Sequence, residues 1–219
     1  MALAPGLKVA DAAQADPAPN PKSIDRLLDE LERRACIYFQ EAADPKTGLV
    51  LDRMRVKGRE TRSIASIAAT GFGLSAMCIA DQRGYIRRPA AKAQVLRTLD
   101  ELAHETDHER GFFYHFLHAS TGQRAWQSEA SSIDTAWLLC GVMHCREYWA
   151  DDSIKRLATE VIDRVDWNWM LCGGDTLCHG WMPESGFLSH RWDSYAELLA
   201  MYLLAIGADS SHIPPSCWD

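Results

Sequence analysis

The sequence predicts an all-α fold, an α/α toroid in which about three helical hairpins are present. Apolar residues recur at helical spacing, and segments with one apolar face alternate with segments that are apolar almost all round. No strand pattern longer than a short ribbon interrupts this order. A helix with one apolar face exposes its other face to solvent, whereas a helix that is apolar all round is buried on every side. The alternation therefore indicates outer and inner helices of a toroid.

The first hairpin is expected after a leader. Residues 1–22 are rich in Ala and Pro and lack the apolar block of a signal peptide, which predicts a disordered leader before one domain over 23–219. The first helix begins near Ile24, and its apolar face is formed by Leu27, Leu28, Leu31 and Ala35. The second helix, 63–81, is apolar or small on nearly every side and is predicted to be buried.

Two further hairpins repeat the pattern. Outer helices are predicted around 95–103 and 154–165, and they are followed by inner helices at 133–145 and 198–207. The connections from an outer to an inner helix are long and rich in Trp, His and Gly. Because successive inner helices run parallel, these connections should gather on one rim, beside the positive N-terminal ends of the inner helices.

Composition narrows the function classes. The 219 residues carry a formal net charge of -7 and no basic stripe, which argues against a nucleic-acid partner. The longest uncharged stretch, 63–80, is diluted by Ser, Thr, Gly and Ala, so no membrane association is expected. The seven cysteines show no disulfide framework, which fits a reducing compartment. We therefore expect a cytoplasmic chain, or a periplasmic one if an export signal is missing.

Acidic residues precede the second inner helix in SEASSIDTAW. Ser131 and Asp134 have the spacing of a helix cap, which explains both residues structurally. Glu129 precedes the cap, at the predicted rim, and the cap does not explain it. We therefore consider Glu129 a candidate catalytic carboxylate.

A second acid, Glu197, is expected one or two turns inside the last apolar helix. Burial raises the pKa of a carboxyl group, which suits a general acid near neutral pH. The alternative is a structural ion pair with Arg191 or Arg53.

Aromatic residues cluster in or beside the long connections. Flat apolar faces next to carboxylates suit a sugar, whose C–H faces stack while its hydroxyl groups seek charged partners. For any one tryptophan, packing beneath a long loop is the commoner explanation. Taken as a cluster, they predict substrate contacts at His115, Trp126, Trp181 and Trp192.

Seven ordered stretches resemble the glycoamylase-like domain proteins, related to bacterial endo-β-1,2-glucanases of glycoside hydrolase family 144. They are TGLVLDR, SIAATGFGLSA, GFFYHF, SEASSIDTAWLL, VDWNWM, GWMPESGF and the W-x-x-Y-x-E pattern at Trp192, Tyr195 and Glu197, and they cover the chain from about Ile37 to its end. The resemblance implies an (α/α)6 toroid that hydrolyses β-glucan without a metal or cofactor, with Glu129, Asp134 and Glu197 in its cleft. On the matching stretches we also predict substrate contacts at Arg53, Glu184 and Tyr195.

The family barrel has six hairpins, whereas this chain ends at HIPPSCWD after three. We therefore expect a truncated half-toroid whose exposed inner surface leads to self-association or is covered by a missing C-terminal half. The principal alternative to an enzyme is a truncated, non-catalytic half-toroid that binds β-glucan without cleaving it.

A zinc hydrolase is a lesser alternative. HETDH matches H-E-x-x-H, which on a helix places two histidines and a glutamate around zinc, here His104, Glu105 and His108. The motif runs past the predicted helix end, and no third ligand follows clearly. No nucleophile elbow or P-loop motif is present in the sequence.

Overall fold

The computed structural model describes residues 21–218, and helices account for most of its regular structure. The helices are α1 (Pro21–Glu41), α2 (Ile67–Arg83), α3 (Arg88–His104), α4 (Ser132–Tyr148), α5 (Asp152–Asp163), α6 (Trp167–Met170) and α7 (Leu199–Ile206), and a 3-10 turn follows at Pro215–Cys217. The predicted leader, 1–22, lies outside the described residues except for its last two, which begin α1. Every segment predicted to be helical contains a helix.

The all-α prediction needs correction in the connections, which contain short antiparallel strands. The strands are β1 (Ile64–Ser66), β2 (His108–Glu109), β3 (Phe112–Phe113), β4 (Phe116–His118), β5 (Ala130–Ser131), β6 (Gly180–Met182) and β7 (Gly186–Phe187). They pair as β1–β4, β2–β3 and β5–β6–β7. Two or three residues are too few to produce a recognisable alternation of polar and apolar side chains, so these strands could not be predicted from the sequence pattern.

The start of the first inner helix also differs from its prediction. Residues 64–66 form β1, and α2 begins only at Ile67. Ser66 is the N-cap, and its side chain accepts a hydrogen bond from the Ala69 amide. A serine at this position satisfies one of the amides that a helix N-terminus leaves free, so it fixes the boundary inside an otherwise uniform apolar run.

The inner helices α2 and α4 pack with their backbones in direct contact. A Cβ added at Gly141 would lie 2.0 Å from the Gly71 carbonyl oxygen, and one added at Gly71 would lie 2.4 Å from the Trp137 carbonyl oxygen. Both glycines are therefore required by the close approach of the two helices. Outside this pair, α1 packs on α2, α3 on both α2 and α5, α5 on α4, and α7 on α4.

The three long connections meet at one rim, as predicted. The connection before α2 pairs with the one before α4 through β1 and β4. The connection before α4 pairs in turn with the one before α7 through β5 and β6. β1 and β5 lead directly into α2 and α4, whereas β6 and β7 lie within the connection well before α7. Within residues 21–218, no helix is both long and apolar enough to cross a membrane.

Candidate active site

Three polar side chains meet where the second connection enters α4. The His115 Nδ1 atom lies 3.1 Å from the Glu129 Oε1 atom and 3.6 Å from the Asp134 Oδ2 atom. We call His115, Glu129 and Asp134 the carboxylate cluster. Its side chains are only 31%, 27% and 14% exposed, respectively, so the charges interact in a poorly solvated environment.

Helix capping and strand pairing hold the two carboxylates in place. Ser131 is the N-cap of α4, as predicted, and accepts a hydrogen bond from the Asp134 amide. The Ser131 hydroxyl also donates to the Asp134 Oδ2 atom at 2.6 Å. On the other side, the Glu129 carbonyl oxygen accepts from the His115 amide at 2.9 Å. The capping explanation and the catalytic explanation of this stretch therefore apply together, because the cap fixes one carboxylate beside the other.

Gly180 in β6 allows the neighbouring strand to approach the cluster closely. A Cβ added there would lie 2.7 Å from the Ala130 carbonyl oxygen and 2.8 Å from the Glu129 Cγ atom. Trp181 follows, opposite Ala130 in the ladder. The ring of the predicted contact residue Trp181 lies 5.8 Å from that of Trp169, centroid to centroid.

The environment moves the pKa values of the two carboxyl groups in opposite directions. Burial raises the pKa of Asp134, and it outweighs the positive charge of His115 and the Ser131 hydrogen bond, which lower it. Burial also acts to raise the pKa of Glu129, but the hydrogen bond from His115 and its charge prevail and lower it. The surroundings of Asp134 therefore favour its protonated form, whereas those of Glu129 favour its ionised form.

His115 is the group that couples the carboxylates of Glu129 and Asp134. Burial alone would lower the pKa of His115, but the hydrogen bond to Glu129 and the charge of Asp134 outweigh burial and raise it. Sequence reasoning placed His115 among the sugar-binding aromatics. The His115 ring does stack on Phe116, with centroids 3.9 Å apart, but its Nδ1 atom faces the carboxylates of Glu129 and Asp134.

The prediction for Glu197 was wrong in position and burial. Glu197 lies in the turn before α7, not inside the helix, and it is exposed. Neither alternative partner pairs with it: the Arg191 guanidinium donates to the Leu171 and Thr176 carbonyl oxygens, and Arg53 pairs with Asp52. The negative charge of Glu197 nevertheless helps to raise the pKa of Asp134, so Glu197 faces the same region of the rim.

The predicted contact residue Glu184 has a different partner from the one expected. Its two carboxylate oxygens accept from Arg124 at 2.6 and 3.0 Å. The same guanidinium donates to the Ser128 carbonyl oxygen at 2.6 Å and lies 4.9 Å from the centroid of the Tyr114 ring. Arg124 therefore ties the loop before Glu129 to the turn between β6 and β7. Sequence reasoning missed Arg124 because no pattern distinguishes it from other loop arginines.

The other predicted contact residues lie around the rim. Trp126 is 69% exposed and packs its ring 5.1 Å from Phe116. Arg53 is exposed in the first connection. Trp192 is held by its Nε1 hydrogen bond to the Ser132 hydroxyl, and Tyr195 is 88% exposed.

Trp192 and Tyr195 line a cavity of about 210 Å³ in front of α7. Thr176, Tyr202 and Trp218 also contribute to its wall, but none of the three predicted catalytic acids does. This cavity is therefore adjacent to the carboxylate cluster and does not contain it.

The structure does not support the zinc motif. The helix α3 ends at His104, whereas His108 lies in β2, so the two histidines do not share a helical face. The His108 Nδ1 atom accepts from the Gly111 amide, and the His104 Nδ1 atom lies 3.1 Å from Asp100. Within residues 21–218, the group whose geometry could hold a metal ion is the carboxylate cluster, whose ligand atoms all lie within 4.8 Å of one another.

Comparison with known proteins confirms the resemblance seen in the motifs. The chain is 24% identical over 211 residues to the exo β-1,2-glucooligosaccharide sophorohydrolase (non-reducing end) of Parabacteroides distasonis, with 90% of this chain and 29% of that protein covered. No protein-family profile matches the chain.

Solved structures show the same fold. The endo-β-1,2-glucanase of Chitinophaga pinensis, solved with sophorotriose and glucose, superposes with a TM-score of 0.76 and 23% identity, covering 89% of this chain and 49% of that one. A candidate glucoamylase of Bacteroides caccae gives a TM-score of 0.77 and 26% identity, with 89% and 50% covered. The chain thus spans about half the length of these structures and less than a third of the curated relative.

Proposed function

We propose that this chain carries the carboxylates of a β-glucan hydrolase, with β-1,2-glucan as the substrate. The observation that carries the proposal is the carboxylate cluster, in which one imidazole joins an acid of raised pKa, Asp134, to an acid of lowered pKa, Glu129. Titratable groups whose pKa values are shifted both by burial and by a specific charged partner mark a candidate catalytic site. Similarity to β-1,2-glucan hydrolases supports the choice of substrate.

Hydrolysis of a glycosidic bond requires two functions. One carboxylic acid protonates the leaving oxygen, while a second carboxylate activates water or attacks the anomeric carbon. Such carboxyl groups are separated by roughly 5 to 9.5 Å in glycoside hydrolases, because part of the sugar lies between them. Within the cluster, the candidate oxygens of Glu129 and Asp134 lie within 4.8 Å of each other and share one imidazole nitrogen. Glu129 and Asp134 therefore act as one proton-holding unit, on one side of the scissile bond.

Glu197 is the natural candidate for the other side. It lies outside the cluster at the N-terminal end of α7, yet its charge acts on Asp134. The rim aromatics Trp126, Trp181 and Tyr195 would then supply the flat faces that a glucan requires. Asp134, with its raised pKa, is the group of the cluster best suited to hold the proton that reaches the leaving oxygen.

The test is release of reducing sugar from linear β-1,2-glucan by purified protein, in the wild type and in Glu129→Gln and Glu197→Gln. We expect each substitution to lower turnover at least 100-fold, as removal of an acid or base does, while circular dichroism stays unchanged. Glu105→Gln is the matched control, because Glu105 is an exposed acid outside the cluster and the only general base that the zinc motif could offer. Full activity in Glu129→Gln, or loss of activity in Glu105→Gln, would refute the assignment.

Binding without hydrolysis is the second candidate function. It is favoured by the coverage of only about half of the solved hydrolases and by the exposure of Trp126 and Tyr195 at 69% and 88%. In that case, glucan would bind to the wild-type protein without release of reducing sugar. Trp126→Ala would weaken binding, whereas Glu129→Gln would not change it.

A further inference from the structure

The first helix exposes the apolar face that its sequence pattern predicts to be buried. Leu27, Leu28 and Leu31 of α1 are 57%, 57% and 54% exposed, and Ile24 is 38% exposed. Only the C-terminal half of α1 reaches the core, where Cys36 is buried. A helix in a protein gains most of its stability from packing its apolar face, so this face is adapted to a surface that residues 21–218 of the same copy do not provide. We call these four residues the α1 edge.

A second apolar surface lies on the last helix. Leu199 and Leu203 of α7 are 49% and 64% exposed, and Trp218 beside them is 43% exposed. Together with Tyr202, Ile206 and Pro215, they line a groove of about 300 Å³. We call this surface the α7 edge. Side chains of this size normally occupy helix contacts, and their clustering marks an interaction surface.

The exposure is confined to particular places in the helix array. The outer helices α3 and α5, which pack on each other, expose no large hydrophobic side chain within the described structure. The two edges lie on the first helix, which packs on α2, and on the last helix, which packs on α4. Phe72 and Ile79 of α2 are also exposed, at 49% and 37%, and Phe72 stacks on Trp137 of α4. Exposed large hydrophobic side chains therefore occur on the first and last helices, α1 and α7, and on α2, but not on the outer helices α3 and α5.

We propose that two copies of this chain associate head to tail, so that the α1 edge of each copy covers the α7 edge of the other. Each copy carries both apolar surfaces, so two identical contacts use all of them and leave none open. Two copies also supply about as much chain as one molecule of the similar solved structures, of which a single copy spans 49% or 50%. If the two-fold axis of such a pair runs parallel to the inner helices, both carboxylate clusters lie on the same rim.

The assembly is measured independently of catalysis, by light scattering on protein eluting from a size-exclusion column. We expect a particle of twice the monomer mass that does not grow with concentration, because a closed pair has no free edge. Leu28→Glu and Leu203→Glu each place a charge in both contacts and should yield folded monomer, since neither leucine packs in the core. Val56→Glu is the matched control: Val56 is 97% exposed in a loop outside both edges and should leave the dimer intact.

Mixing the two monomeric variants tests the head-to-tail pairing. A pair formed from Leu28→Glu and Leu203→Glu has both charges in one contact and none in the other, so dimers should reappear in the mixture. Contacts of α1 with α1, or of α7 with α7, would not produce this rescue. A monomeric wild type with native circular dichroism, oligomers that grow with concentration, or no dimer in the mixture would each overturn the proposal.

Discussion

Replacing His115 by phenylalanine removes the positive partner of both clustered carboxylates and keeps a flat ring against Phe116. The wild-type pKa of His115 is raised, with burial opposed and outweighed by the hydrogen bond to Glu129 and the charge of Asp134. A histidine whose pKa is higher in the folded than in the unfolded state stabilises the fold fully below its unfolded pKa, about 6.5, and this stabilisation is lost as pH rises through the folded pKa. The substitution His115→Phe should therefore lower the free energy of unfolding by more near pH 6 than near pH 9.

The magnitude follows from the contacts that are lost. A hydrogen bond to a charged group contributes roughly 1.5–3 kcal/mol. Because His115 and Glu129 are each about 30% exposed, solvent screening reduces this value, and about 1 kcal/mol is the expected pH-dependent part. Urea unfolding followed by circular dichroism, at about pH 6 and about pH 9, measures it as a difference between wild type and variant. The part of the loss in free energy of unfolding that is the same at both pH values reports lost packing and not the charge of His115.

A matched histidine separates this effect from a general one. His118 lies three residues away in β4 and, among the described residues, forms no ion pair. His118→Phe removes an imidazole from the same region without removing a contact of the carboxylate cluster, and the cost of His115→Phe in free energy of unfolding is compared with it at both pH values. An equal cost of His115→Phe at both pH values, or a larger cost near pH 9, would show that the imidazole is not the charged partner of the cluster.

Two further predictions concern the helix crossing and the metal question. Gly141→Ala would place a Cβ 2.0 Å from the Gly71 carbonyl oxygen, so α2 and α4 must separate, and we expect a loss of about 1–3 kcal/mol in urea unfolding; unchanged stability would mean that the helices are not in backbone contact. Dialysis against EDTA should leave glucan hydrolysis unchanged, because a two-carboxylate mechanism uses no metal. Activity that disappears on dialysis and returns with a divalent cation would instead identify the carboxylate cluster as a metal centre.

The outer helices α3 and α5 were predictable because their buried apolar faces impose a period of 3.6 on the sequence, and the inner helices because long runs of apolar and small residues mark them. The rim could be predicted once the inner helices were recognised, because parallel inner helices bring the connections that precede them together. The strands within those connections were not, because β5 and β7 have only two residues each. The pairing of β5 with β6 and the hydrogen bond from the His115 amide to the Glu129 carbonyl oxygen are backbone contacts between segments about 50 and 14 residues apart, and no local pattern encodes them.

The two carboxylates differ in how well the sequence located them. Glu129 was singled out because it stands outside a helix cap, and its position relative to Ser131 is fixed by that cap. Glu197 was placed inside a helix because the apolar run after it has no cap residue to mark a boundary, and Leu198 in fact occupies the N-cap position without a side-chain hydrogen bond. A start defined only by apolar residues is easily displaced by a turn, and here that displacement exposes the carboxylate.

The exposed position of Glu197 connects the site with the proposed assembly. Glu197 lies two residues before Leu199, the first residue of α7, so contact at the α7 edge would order the helix that directly follows this acid. The carboxylate cluster, in contrast, is held by strand pairing and by the α4 cap within one copy. If association positions Glu197, the monomeric variant Leu28→Glu should retain the His115 titration but lose hydrolysis, and the dimers recovered by mixing it with Leu203→Glu should regain part of that activity. Undiminished turnover in folded Leu28→Glu monomers would show that the position of Glu197 does not depend on the second copy.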